Sequence, residues 1–269
     1  MKGLFRVTFL IVAVCTASLS SFAQSAPKPD TVKKAKVPVP IKPKGPKPLN
    51  HEWSAGIRLN TDGWSIYTDL GKIKAKNPRQ SDMFYNETFW QLEFTEKKDA
   101  REQKIDGNDP SGNPSKYVYG KINDFYAFKL GIGFRTLIAG KPDPGSVSIH
   151  WVNVLGASLG LLKPYYINVY TDPSAIKYSD ATQADFLDQN VIEGSAGFTK
   201  GLDQIKFIPG GHYKSALHFD FSTNRKNVLA VEAGVNVEYY SQAIPIMAND
   251  KGVPYFVDFF IAAQFGRRW

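Results

Sequence analysis

Cysteine is almost absent: Cys15 is the single one in 269 residues, and it lies in a leader expected to be removed, so no disulfide is available to hold the fold. Long apolar runs are also absent beyond that leader. No later stretch approaches the roughly 18 consecutive apolar residues that a membrane-spanning helix needs. The body of the chain lacks net charge as well. Of the formal +8, Lys2 and Arg6 supply two and residues 25–50, with seven lysines against Asp30, supply six, which leaves none for residues 51–269. A nucleic-acid surface on the body therefore has no support, and no nucleic-acid partner is expected. Phosphate-binding glycine loops, His-x-x-x-His or similar ligand spacings and long internal repeats are missing too, so no cofactor and no metal are expected.

Three features are present in their place. The leader has Lys2 and Arg6, an apolar stretch from Phe9 to Cys15, and Ser21-Phe22-Ala23, which reads as a secretory signal peptide over 1–23. Val14 is too bulky for a lipoprotein cleavage site before Cys15, so a lipid anchor is not expected. Residues 24–50 form a Lys/Pro-rich linker with seven prolines, a composition that favours an extended, solvated chain. Such a periplasmic linker is either a passive spacer or a contact for peptidoglycan, anionic lipid or a protein partner. An exported chain without a spanning helix either dissolves in the export compartment or enters a membrane as a barrel.

The third feature is alternation. In "EWSAGIRLNTDGWSIYTDL", Asp62-Gly63 between two alternating runs predicts a two-residue hairpin turn. Thr61 then faces Trp64, Leu59 meets Ile66 and Arg58 lies opposite Tyr67. One face is apolar and the other polar and charged. The same split recurs over 84–94, 124–137, 213–222 and 227–240, and in the last strand, "YFVDFFIAAQFGRRW". The stretch 147–170 is less regular, its alternation shifting near Val152 to Leu155 and Pro164 interrupting it. It reads as one long strand with a bulge, or as two short ones.

Counting that stretch once gives eight strands; two strands there with an unseen partner would give ten. Apart from the tight first turn, connections at one end are long (about 95–123, 171–212, 242–253) and at the other shorter (71–83, 138–146, 223–226). Even strand number, strands of about ten residues and one-sided long loops predict an all-β fold, a transmembrane antiparallel β-barrel over 51–269. Trp53 and Trp269 fall on the apolar face at one rim of such a closed barrel, and Trp64 and Trp151 join them as an aromatic girdle.

The signal peptide, the alternating strands and the terminal "QFGRRW" resemble the small outer-membrane β-barrel proteins of Bacteroidota, the broad PorT-like class. "YGKINDFYAFKLGIGF", "GASLGLLKP" and "GLDQIKFIPG" are similar to stretches of an uncharacterised branch. The likeness covers nearly all of residues 51–269. It implies an outer-membrane address, surrounding outer-membrane lipid, and a last strand (Phe265, Gly266, Trp269) read by the barrel-assembly machinery. Arg267 departs from the apolar residue usual in such signals and is expected to snorkel to the headgroups. The class spans secretion accessories, adhesion proteins and structural barrels.

Eight strands leave an interior that side chains can fill. The inward set contains Arg58, Lys129, Arg135, Lys214, His218 and Arg268 with Asp69, Glu87, Glu93, Asp220, Glu232, Glu238 and Asp258. Charges of both signs in so small a space are expected to pair and plug it, because an unpaired buried charge costs several kcal/mol. His150 and His218 are expected within that plug. Ser148 and His150 share a strand face, which raises a lipid A modifying enzyme as the alternative function, with a narrow channel third. The loop 95–116 is expected to be mobile. "DATQADFLDQN" is expected to form a short helix, and Ile205, Phe207 and Ile208 to pack over the barrel mouth or meet a partner.

Overall fold

The computed structural model describes residues 49–75, 85–108, 115–141, 143, 145–248 and 251–269. The expected signal peptide, the linker up to residue 48 and most of the 71–83 connection lie outside the described residues. The alternating segments form strands β1 (His51–Asn60), β2 (Gly63–Ala75) and β3 (Tyr85–Lys97). A short hairpin, β4 (Lys104–Asp106) and β5 (Lys116–Val118), precedes β6 (Asn123–Ala139) and β7 (Ser148–Pro164). Then come β8 (Tyr166–Val169), β9 (Asp172–Lys177), the helix α1 (Gln183–Phe186) and β10 (Ile192–Ser195). A 3-10 turn (Leu202–Gln204) leads to β11 (Lys206–Asp220), β12 (Asn227–Ile244) and β13 (Val253–Arg268).

Eight of these strands close into an antiparallel barrel in the order β1-β13-β12-β11-β7-β6-β3-β2. Closure is direct: Glu52 pairs with Arg268 and Asn60 with Phe260, so the first and last barrel strands leave no gap between them. The ten residues of β1 are about the length a tilted strand needs to cross a hydrocarbon layer. The 18 residues of β12, at about 3.3 Å each, exceed that thickness even when tilted. The longer strands therefore rise past the β1–β2 turn, on the side that carries the long connections.

The first hairpin differs from its expected register. Leu59 pairs with Trp64 and Ile57 with Ile66, so Thr61-Asp62 forms the turn and Gly63 opens β2. Gly63 is required there because its φ is +153° and a Cβ would fall 2.0 Å from the Glu96 carbonyl oxygen. Each partner moves by two residues, which leaves the faces unchanged. Arg58 consequently lies opposite Ser65, and Tyr67 opposite Gly56. The Tyr67 ring folds over that glycine, where a Cβ would meet its Cζ at 2.5 Å.

The irregular stretch is one strand, β7, ending at Pro164, and β8 belongs to the loops. Its register is continuous through Val152 to Leu155 against both neighbours. The alternation is obscured because Val152 and Val154 are apolar residues facing inward. The barrel thus has eight strands.

The long connections fold as well. β8 pairs with β9 and β10 in a three-stranded sheet, and β4 with β5. They enclose a core of their own, with Tyr117, Ile167, Val169, Ile176, Phe186, Val191 and Ile192 buried together. The 95–116 segment, expected to be a mobile loop, instead supplies the end of β3, all of β4 and the first residue of β5, and Ile105 packs against this core. The expected short helix is α1, with Phe186 buried. Ile208 falls in β11 and points into the lumen, whereas Phe207 points outward.

Candidate functional site

The interior is built from alternate residues of all eight barrel strands, and each of the thirteen residues named above for it is buried. They join in tiers. At the end where β1 begins and β13 finishes, Arg135 from β6 reaches Glu52 on β1 at 2.8 Å and also holds Glu87 on β3. Arg268 on β13 donates to Glu52 at 2.7 Å, to Asp220 at 2.6 Å and to the Tyr85 hydroxyl at 2.6 Å. Lys141, folding back from the short β6–β7 connection, adds a bond to Asp220 at 3.0 Å.

The middle tier mixes polar and apolar groups. Gln91 and Gln264 donate to Asp69 at 2.7 and 2.8 Å. Glu232 takes Lys214 at 3.3 Å and lies 3.1 Å from His218 Nδ1. Around them Tyr67, Phe89, Val152, Val154, Ala216, Phe260 and Ala262 form an apolar cluster inside the wall. The inner face is thus less uniformly polar than its sequence pattern suggests.

Towards the long connections Arg58 donates to Glu93 at 2.6 Å. Lys129 bridges Glu93 at 3.1 Å and Glu238 at 2.5 Å. Lys97 contacts Asp62 at 2.6 Å, Asp258 at 2.8 Å and Glu238 at 3.1 Å. An apolar lid of Phe125, Ala127, Leu162, Ile208, Tyr240, Ile244 and Ile246 closes this end. Arg58 also lies 4.8 Å from the Tyr67 ring and 4.5 Å from Phe260, so part of its charge is met by aromatic faces.

The outside is the reverse. Ile57, Leu59, Leu92, Phe128, Leu130, Ile132, Leu155, Val257, Phe259 and Ile261 are all exposed, a belt far more apolar than water tolerates on a monomer. Trp53, Trp151 and Trp269 stand on this outer face, and His51 stacks on Trp269 at 6.0 Å. Trp64 is half-buried at the opposite rim, and its indole N–H donates to Glu96. From it an aromatic ladder runs along that rim: Trp64 to Phe94 at 6.2 Å, Phe94 to Tyr126 at 5.9 Å, Tyr126 to Phe198 at 6.2 Å. An apolar belt between aromatic rims around a charged, paired interior is the pattern of a lipid-facing barrel.

The chain is a transmembrane antiparallel β-barrel.

No protein-family model matches its sequence, and no curated protein does. Among solved structures it is similar to Neisserial surface protein A, at 9% identity and a TM-score of 0.42, covering 82% of this chain and 97% of that one. It is also similar to Ail, the attachment invasion locus protein of Yersinia pestis. The Ail structure with the heparin analogue sucrose octasulfate shares 13% identity at a TM-score of 0.37, covering 82% and 99% of the two chains. Ail alone shares 12% at 0.35, covering 83% and 99%.

Several lumen residues escaped the sequence reading. Glu52 shares its face with Arg58 and was legible from parity alone. Lys97 and His212 lie just beyond the expected strand ends, and extending the alternation would have included them. Lys141 carries no such signal, since it enters from a connection. Phe265 lies on the outer face and Gly266 at the β1–β13 seam, where a Cβ would meet the Trp53 carbonyl oxygen at 2.3 Å. Arg267 is exposed on the outer face beside Trp269.

Ser148 and His150 both point inward and are buried. Neither ring nitrogen of His150 has a hydrogen-bond partner, so the two residues form no nucleophile–base pair and neither reaches the lipid side. Among the described residues no cluster of three His, Cys, Asp or Glu side chains has the arrangement to hold a metal.

Proposed function

We propose that the chain is an outer-membrane β-barrel of a Gram-negative bacterium, of the PorT-like kind, and acts as a structural or accessory component of an envelope or secretion assembly. The observation that carries this reading is the pairing of a plugged lumen with a packed loop platform. Ion pairs such as Lys129–Glu238 and Lys97–Glu238 cross the lumen, which leaves transport through it unsupported. The platform, by contrast, has a core of its own, so it presents a fixed surface rather than a set of free loops.

In this arrangement the barrel is an anchor, the platform faces outward, and the Lys/Pro composition of the linker suits it to contact peptidoglycan or a periplasmic protein. The barrel-assembly machinery would read the last strand. Fractionation tests the address. The protein is expected in outer membranes, with an unboiled band that migrates differently from the boiled one. A soluble periplasmic protein with no mobility shift would overturn the reading. Crosslinking from positions on the platform and in the linker then tests for a partner. In planar bilayers the purified protein is expected to give no stable conductance steps, and steady channels would favour the narrow-channel reading.

A further inference from the structure

A second charged cluster lies outside the barrel wall. On the outer surface of β6 and β7, Asp124 and Lys163 are cross-strand partners joined at 2.9 Å. Lys121 contacts the same Asp124 at 2.9 Å and Glu102 at 3.0 Å. Both lysines are buried although they stand on the lipid side of the sheet, because the loop platform folds down over them. Burial lowers the Lys121 pKa, but the Asp124 and Glu102 carboxylates outweigh it and the net shift is upward. The ammonium therefore stays charged.

These ion pairs form one wall of a pocket of about 310 Å³. Its roof is the β4–β5 hairpin, where Lys104 and Lys116 lie on one face, since Lys104 pairs with Val118 and Lys116 with Asp106. The lining holds five lysines (98, 104, 116, 121, 163) against three carboxylates (Glu96, Glu102, Asp124), an excess of two positive charges. Lys121 and Lys163 are matched by Asp124 and Glu102, and Lys98 is 3.6 Å from Glu96. The excess therefore sits on Lys104 and Lys116. Asp106 lies 3.9 Å from Lys116, with both side chains largely in solvent, and an exposed pair at that distance offsets little of it.

The height of the pocket identifies its occupant. Its floor includes Glu96 and Tyr126, which lie on one pairing line with Trp64. Trp64 and Tyr126 on that line belong to the aromatic ladder, so the pocket opens where hydrocarbon gives way to headgroups. Phe198 borders it, exposed on the lipid side, with the Lys163 ammonium 4.9 Å from its ring. Below the mouth run Phe94 and Phe128, a surface suited to acyl chains. A cationic pocket directly above an apolar track matches an amphiphile with an anionic head.

We propose that this pocket binds the phosphorylated headgroup of a lipid in the leaflet around the long-connection rim. Lys104 and Lys116 take the phosphate, and the acyl chains descend over Phe94 and Phe128. The proposal rests on the membrane reading above.

The test is native mass spectrometry of the full-length protein in neutral detergent, with diphosphoryl lipid A, its dephosphorylated form and phosphatidylcholine added separately. The wild type is expected to retain the diphosphoryl lipid at least about tenfold over the other two. Lys104→Ala/Lys116→Ala is expected to lose most of that preference, and Lys104→Glu/Lys116→Glu all of it. Excess inorganic phosphate is expected to leave the lipid bound. Equal retention of the three lipids, an unchanged preference in both variants, or displacement by inorganic phosphate would each overturn the proposal. Heat-modifiability of the same samples separates the two readings. A wild type without it fails the membrane reading, whereas a heat-modifiable wild type without lipid preference fails only this one.

Discussion

Lys97 and Glu238 meet at 3.1 Å from opposite sides of the barrel, since β3 and β12 are separated by four steps of strand order in either direction. The contact spans the lumen, and it shares Lys97 with Asp258 and Asp62. Replacing Lys97 by Met strands carboxylates in a space from which water is largely displaced. The variant is expected to lose about 3–5 kcal/mol of stability, the usual result of removing one partner from a buried pair. Urea titration of the folded gel band in lipid vesicles measures it. Lys97→Met combined with Asp258→Asn is expected to recover part of the loss, because the charge most dependent on Lys97 is then gone.

Leu130 stands outward near the middle of β6 and is exposed. Leu130→Arg is expected to cost about 2–4 kcal/mol in a bilayer, the range for a cation near the midplane of a barrel's lipid face. The same measurement is informative in both directions. In a water-soluble sandwich this substitution at an exposed position would be neutral or would improve solubility.

Gly266 sits where the barrel closes. A valine there would press its Cβ against the Trp53 carbonyl oxygen and the Ser54 Cβ, at 2.3 and 2.5 Å. Backbone cannot yield as a flexible side chain does, so the β1–β13 pairing must separate locally. Gly266→Val is expected to reduce the heat-modifiable fraction on refolding into detergent or vesicles. Phe265→Tyr, which keeps an aromatic ring on the outer face, is expected to leave that fraction unchanged.

Phe186 is buried in the core of the loop platform, away from the lumen. Phe186→Ala is expected to cost about 3–5 kcal/mol within that core and to expose the 165–205 connection to protease. The barrel band is expected to keep its mobility shift. Simultaneous loss of both would mean that platform and barrel fold as one unit.

The sequence by itself determined which side of each regularly alternating strand faces lipid. That information is local, since side chains alternate with a period of two and a transmembrane barrel must put its apolar set outward. Eight strands, closure of Trp53's strand against Trp269's, and the inward charges from Arg58 to Arg268 were all legible on that ground. Register was not. Asp62-Gly63 has the composition of a turn, but Gly63 is needed for the close approach of the Glu96 carbonyl, a contact from a strand more than 30 residues away. Nor could alternation show that Val152 and Val154 belong to an apolar layer inside the barrel, because an inward valine and an outward one look alike in sequence. The tertiary structure decided which charges meet. Lys97, Lys141 and Glu238 acquire their partners through barrel closure and loop folding, and those contacts join residues that no local pattern relates. The loop platform is the clearest case. Its strands are three to six residues long, too short for periodicity to register, and they become strands only when Phe186 and Ile192 give them a core to cover.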